Sequence, residues 1–189
     1  MQKLFFGLTF LILLLVGGSY SLLFTNWGNS LVSSIIENKV NEGQKIAHVK
    51  INNFKLTMNN IEVNASIDDN SFVNITGALN IFARNFDLNY DIDIKELAYL
   101  QNITKQKLNG ALLTKGILKG DEKSALLKGK TSLASSDTNY EISFIDFKVD
   151  TVLFDMKNAK IESLLSLLNQ NIYTNGLLSI DARIKDASK

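Results

Sequence analysis

The side chains that could do chemistry are few and stand apart. The single histidine, His48, opens an alternating stretch with no cysteine and no carboxylate pair beside it, so it reads as a structural residue and not as a metal ligand or general base. Lys128-Gly129-Lys130-Thr131 matches the tail of a phosphate loop. Ser124 stands where the first glycine belongs, however, and the residues after it alternate as a strand where a helix should begin. Asp87, Asp91 and Asp93 share one face of one strand and could gather a cation, but no glycine-centred calcium loop accompanies them, and they read as a solvated face. The absence of cysteine excludes a disulfide framework, a zinc knuckle and a thiol nucleophile. Neither a Gly-x-Ser-x-Gly elbow nor a dinucleotide fingerprint occurs. The expectation is a non-enzyme with no metal and no cofactor.

The elements that could give such a chain a role begin with the run Leu4 to Phe24, which carries no charge. At 1.5 Å per residue, about 20 apolar residues cross a hydrocarbon core of about 30 Å. Lys3 and the amino terminus precede the run, and no Lys or Arg comes after it until Lys39. That asymmetry places the amino terminus in the cytoplasm and the rest of the chain across the membrane. Residues 1–28 are read as a membrane anchor, with Lys3 and Trp27 at its two interfaces. A cleaved signal peptide ending near Ser19 or Ser21 is the other reading. The apolar run continues past that point through Leu22, Leu23 and Phe24, which favours a retained single-pass anchor. With 20 basic and 19 acidic residues scattered along 189, net charge +1, nothing marks a nucleic-acid surface.

Residues 29–45 read as a short amphipathic helix. Leu31, Val32, Ile35, Ile36 and Val40 recur at helical spacing, Asn29 or Ser30 can cap it and Gly43 can end it. The expected role is to plug the near end of whatever follows; a membrane-surface helix is the other reading, weakened by its low positive charge. From residue 46 to 189 the period becomes two. Phe54, Leu56 and Met58 alternate with polar residues, as do Ile61 to Ile67, Val73 to Ile81 and Phe86 to Ile92. Longer strands run through Leu112, Leu118, Leu127, Ile142 and Phe144. Short polar turns separate them, which predicts a mainly β fold, an antiparallel meander with one dry face. Chain without proline can run as unbroken strands, and in-strand Gly77, Gly110, Gly116 and Gly129 suggest bends or bulges in a curved sheet.

Two segments, about 88–121 and 152–186, repeat one another. Ile94 to Leu100 leads through Asn109-Gly110 into a strand, and Ile161 to Leu168 leads through Asn175-Gly176 into another. Leu97 and Leu100 match Leu164 and Leu167. A period of about 66 residues points to an elongated array of similar units.

On the anchor, the one-sided strands and the stretch Val152 to Lys185, the chain resembles the AsmA and TamB class of cell-envelope proteins. The motif that carries this is the short Leu-Leu-Ser-Leu-Leu helix (164–168) leading to Asn175-Gly176-Leu177-Leu178 and a strand. The resemblance implies an elongated, curved β-groove with an apolar concave face. It also implies a periplasmic domain on an inner-membrane anchor, and movement of phospholipid in outer-membrane biogenesis. This chain is several times shorter than most members of that class. About nine strands, stacked about 4.8 Å apart, make a groove on the order of 40 Å, too short to bridge two membranes, so it would act as a proximal piece or with other envelope β-proteins.

Two functional readings are open. In the first, phospholipid acyl chains lie along the dry face, with Phe54, Leu56, Ile75, Leu79, Phe86, Leu88, Leu112, Leu127, Ile142 and Phe144 as the lining. In the second, the sheet edge pairs with an envelope partner or a second copy, without lipid transport.

Overall fold

The computed structural model describes residues 23–42, 47–68, 70–101 and 106–186. Helix α1 (Asn26–Asn41) comes first. Nine strands come after it: β1 (Val49–Leu56), β2 (Asn60–Ile67), β3 (Ser71–Asn80), β4 (Asn85–Ile94), β5 (Leu112–Asp121), β6 (Ser124–Thr131), β7 (Asp137–Ile145), β8 (Lys148–Lys160) and β9 (Leu177–Lys185). They form one sheet in the order of the sequence, and every neighbouring pair is antiparallel. This is the meander that the alternating pattern dictates, because each polar turn returns the chain to its neighbour's side.

The crossovers β4–β5 and β8–β9 carry the two helical insertions, a 3-10 turn (Leu97–Leu100) and helix α2 (Ile161–Leu167). Both are tied in the same way. The Leu97 amide donates to the Gly110 carbonyl at 2.7 Å, and the Ile161 amide to the Gly176 carbonyl at 3.0 Å. In each, the first helical amide is satisfied by the glycine that precedes the next strand. The units also touch, since the Asn109 amide donates to the Leu167 carbonyl at 2.9 Å.

The irregularities lie elsewhere than the glycines suggest. Register shifts occur between Ile51 and Asn53, between Ser143 and Phe144, and between Met156 and Ala159, whereas register runs unbroken through Gly77, Gly116 and Gly129. Gly110 precedes β5 and is not part of a strand. Gly116 and Gly129 serve instead as floor beneath the rings of Tyr90 and Tyr140.

Helix α1 also departs from expectation. Thr25 caps it, its hydroxyl accepting from the Gly28 amide at 3.2 Å. It lies along the outer edge of β1 with its polar residues inward. The Asn29 carboxamide exchanges two hydrogen bonds with Leu56, accepting from its amide at 3.0 Å and donating to its carbonyl at 3.2 Å. Asn41 repeats the exchange with Val49 at 2.8 and 2.7 Å, and Glu37 accepts from the Ile51 amide at 2.9 Å. These side chains stand where a tenth strand's peptide groups would be, and they seal an edge that would otherwise recruit another strand. The apolar stripe is therefore not a plug: Leu31, Ile35, Ile36 and Val40 are exposed.

Burial is uneven along the strands. The buried apolar side chains are Leu56, Ala65, Ile67, Tyr90, Ile94, Leu97, Met156 and Ala159, joined by Ser71, Thr114, Ser136 and Thr138. Apart from Leu56 and Tyr90, they gather at the end of the sheet that holds the β4–β5 and β8–β9 crossovers. The opposite end holds the tight turns β1–β2, β3–β4, β5–β6 and β7–β8. Among the described residues no helix is long and apolar enough to cross a membrane; Leu4 to Leu22, like Lys3, lie outside those residues.

Candidate functional site

In an antiparallel ladder, residues directly opposite point to the same side, so the register assigns each side chain to a face. The ten residues expected to line the dry face all fall on one face, in transverse rows. Leu79, Phe86 and Phe144 belong to the row nearest the tight turns, with Gly120, Ala125 and Val149. Leu56, Leu88, Leu127 and Ile142 share the next with Ile61, Leu118, Val152 and Ile184. Phe54 and Ile75 stand in the third, with Tyr90, Tyr140 and Phe154. Leu112 sits apart, opposite Ile94 in the row nearest the crossovers. The first three rows are thus apolar across the sheet. The helical turns cover the face at the crossover end, where Ile94, Thr138 and Met156 are buried, and no second layer of the described chain packs on the rows nearer the tight turns.

Sequence reasoning missed a polar seam in the middle of this face. Tyr90 and Tyr140 flank Gly116 and Gly129 in one row, and their rings close over the two glycines until the hydroxyls meet at 2.6 Å. Tyr140 Oη also lies 2.5 Å from Thr114 Oγ1, which donates to the Lys130 carbonyl at 3.0 Å. Three hydroxyl protons serve four contacts here, because Tyr90 Oη also lies 3.3 Å from the Lys128 carbonyl, to which it can donate, while Thr114 donates to the Lys130 carbonyl. Burial, and then the bond with Tyr140, push the Tyr90 phenol well above its ordinary range. The readable signal was a pair of glycines facing each other between two tyrosines.

The other face is charged. Asp87 pairs with Lys119 at 2.9 Å and Asp93 with Lys95 at 2.6 Å, while Asp91 stands opposite Lys115. The three aspartates are distributed among cations of this chain and make no cluster. His48 is exposed, and its amide donates to Asp68 Oδ1 at 2.9 Å. Lys128 to Thr131 lie inside β6.

A hollow of about 940 Å³ lies over this charged face, among Asp91, Lys115, Lys130, Asp155, Asp181 and Arg183, and none of the ten apolar candidates lines it. The apolar face has a smaller cavity of about 270 Å³ beside the tight turns, bounded by Phe86, Leu118, Ala125, Phe144 and Phe147. It is the place where two of the expected lining residues, Phe86 and Phe144, converge.

Fold and site together define an open, nine-stranded antiparallel meander with one apolar face, one sealed edge and a closed end. No family model, curated protein or solved structure matches the chain.

Proposed function

We propose that this chain is a lipid-binding module of the AsmA and TamB type, tethered to the inner membrane by its amino-terminal run. Its sheet would lie on the periplasmic side and hold phospholipid acyl chains during outer-membrane biogenesis. The observation that carries this reading is the set of apolar rows that cross the nine-stranded sheet with no layer over them outside the crossover end. An apolar surface of that extent needs a ligand, a partner or a membrane. The burial asymmetry adds to it: Ile94, Leu97, Met156 and Ala159 close one end, while Phe86, Phe144 and Phe147 border a cavity at the other. Binding would be passive, with acyl chains along the rows and head groups at the margin.

Native mass spectrometry with lipid extraction, on protein released gently from membranes, tests it. The wild type should carry phospholipid. Leu127→Glu, in the middle of the second row, should lower the load about tenfold or more, since a carboxylate among acyl chains costs well over 1.4 kcal/mol. Lipid-free wild type, or an unchanged load in a folded Leu127→Glu variant, would sink the reading.

A second reading, pairing through the sheet edge, is favoured by one observation. The outer edge of β9 has no strand beside it among the described residues. Its centre, Ile180-Asp181-Ala182-Arg183-Ile184, is self-complementary when a second copy lies antiparallel about Ala182. Asp181 then meets the partner's Arg183 and Ile180 meets the partner's Ile184. Within the chain, Asp181 stands opposite Asp155, and neither Asp181 nor Arg183 has an ion pair among the described residues. Because the chain has no cysteine, Ala182→Cys should form a disulfide dimer under mild oxidation while Ile180→Cys should not. Equal crosslinking by both, or by neither, refutes this register.

A further inference from the structure

We propose that the end of the sheet carrying the tight turns is seated in the lipid interface, with Phe82 and Phe147 as its inserted side chains. The inference rests on the membrane-tethered reading and assigns the surface that meets the bilayer.

The topology fixes which turns lie together. Strands β1, β3, β5 and β7 run toward one end, and β2, β4, β6 and β8 run back from it. Four turns therefore share that end: 57–59, 81–84, 122–123 and 146–147. Two of them present large aromatic residues to solvent, Phe82 at 76% and Phe147 at 85% relative exposure, and Met58 and Ile81 are exposed beside them. Polar side chains occupy a turn tip at lower cost; the crossover end exposes Ile172, Tyr173 and Leu177 as well, so the choice between the two ends rests on Phe147's backbone and on helix α1.

Phe147 is also held against its backbone preference. The β7–β8 connection has two residues, Asp146 at φ 49° and Phe147 at φ 62°. Such a turn needs positive φ at both positions and usually takes glycine at the second. A bulky aromatic in the left-handed region, pointing into solvent, is retained for something other than local stability. It also borders the apolar cavity formed with Phe86 and Phe144, so an acyl chain entering there would pass it.

Helix α1 gives the occupant. Asn29 is fastened to Leu56 beside the 57–59 turn, and Asn41 to Val49 at the far end of β1. The helix therefore begins at the tip end, and the uncharged run Leu4 to Phe24 leads into it there. Trp27, in its first turn, is 62% exposed, as suits an interfacial ring. Trp27, Phe82 and Phe147 thus lie at one end of the sheet, the end at which the helix that follows the apolar run in sequence begins. The closed end, with Ile94, Leu97, Met156 and Ala159, stands roughly 30 Å away at about 3.3 Å per residue.

The sequence has one tryptophan, which makes depth measurable residue by residue. The full chain is reconstituted into phosphatidylcholine vesicles whose acyl chains carry bromine, a short-range quencher of indole fluorescence. The wild type reports Trp27. In a Trp27→Phe background, Phe82→Trp and Phe147→Trp report the tips, and Tyr173→Trp reports the far end. Emission should fall by about half or more at 27, 82 and 147, and stay nearly unchanged at 173, as expected for aromatic residues at lipid depth. Quenching at 27 without quenching at 82 and 147 overturns the seating while leaving the tether intact. No quenching at 27 removes the tether itself and this proposal with it. Quenching at 173 equal to that at the tips overturns the seating too, because the sheet would then lie flat on the bilayer.

Discussion

Gly116→Ala should destabilise the domain by about 3 kcal/mol or more, chiefly because its methyl group would meet backbone and not a movable side chain. A Cβ built there stands 2.0 Å from the Lys128 carbonyl oxygen, 2.6 Å from Gly129 Cα and 2.5 Å from Tyr90 Oη. The strands β5 and β6 must separate to admit it, and the tyrosine hydroxyl must leave its 2.6 Å partner Tyr140. Overpacking of this kind costs about 1–3 kcal/mol and occasionally more. The displaced hydrogen bond adds about 1 kcal/mol. For a domain of this size that total corresponds to a fall in Tm of about 10 °C, measurable by thermal denaturation followed by circular dichroism. Gly129→Ala should behave differently under a second substitution. Its nearest obstacle is the Tyr90 hydroxyl at 2.2 Å, ahead of Tyr140 Oη at 2.7 Å and the Lys115 carbonyl at 2.8 Å. Tyr90→Phe should therefore recover more of the loss in Gly129→Ala, where its hydroxyl is the nearest obstacle, than in Gly116→Ala, where the Lys128 carbonyl and Gly129 Cα stay in the way. If Gly116→Ala costs less than about 1 kcal/mol, or if Tyr90→Phe rescues both alike, the rings are not resting on the glycines.

What could be read in the sequence was whatever depends on alternation. The period of two around Phe54, Ile75, Phe86, Leu127 and Phe144 gave strands and their faces together, because a strand has only two sides and a one-residue slip would move every one of these residues to the other. The meander order was legible because each connection is either a tight polar turn or one of the two helical crossovers. Whatever depends on contact between distant segments was not legible. Asn29 looks like a helix cap and Glu37 like part of a solvated face, since nothing in their own neighbourhood shows that an edge strand's bare peptide groups lie opposite. The Leu31 and Ile35 stripe then looked like the buried side by default. The glycines at 116 and 129 were visible as departures from strand composition, yet a bulge and an overlying ring leave the same local trace. Only the pairing of Tyr90 with Gly116 and of Gly129 with Tyr140 separates the two. The large hollow over the charged face was illegible for a third reason: curvature is a property of the whole sheet, and the faces of a twisted sheet can each be concave along a different diagonal.

Asn29→Ala should cost about 2–4 kcal/mol, since it orphans two groups at once in a buried place. The Leu56 amide loses its acceptor and the Leu56 carbonyl its donor, and Asn29 itself is only 5% exposed, so water cannot readily substitute. Asn41→Ala removes the equivalent pair at Val49, where the site is half-buried, and should cost nearer 1 kcal/mol. Asn29→Asp separates geometry from chemistry. It keeps an acceptor for the Leu56 amide but turns a carboxylate oxygen toward the Leu56 carbonyl, and should be about as damaging as alanine. Hydrogen exchange locates the effect: the Leu56 amide should exchange much faster in Asn29→Ala, while amides in β5 to β7, far from this edge, should keep their wild-type order. The variant should also associate more readily at high concentration, because a bare β1 edge becomes a template for another strand. If Leu56 stays protected and stability is unchanged, the helix is held to the sheet by other contacts and its polar residues do not stand in for a strand. The wild-type arrangement explains why the chain places asparagine, the side chain nearest in chemistry to a peptide group, at both ends of the contact. Leucine there would bury more apolar area and leave the edge open.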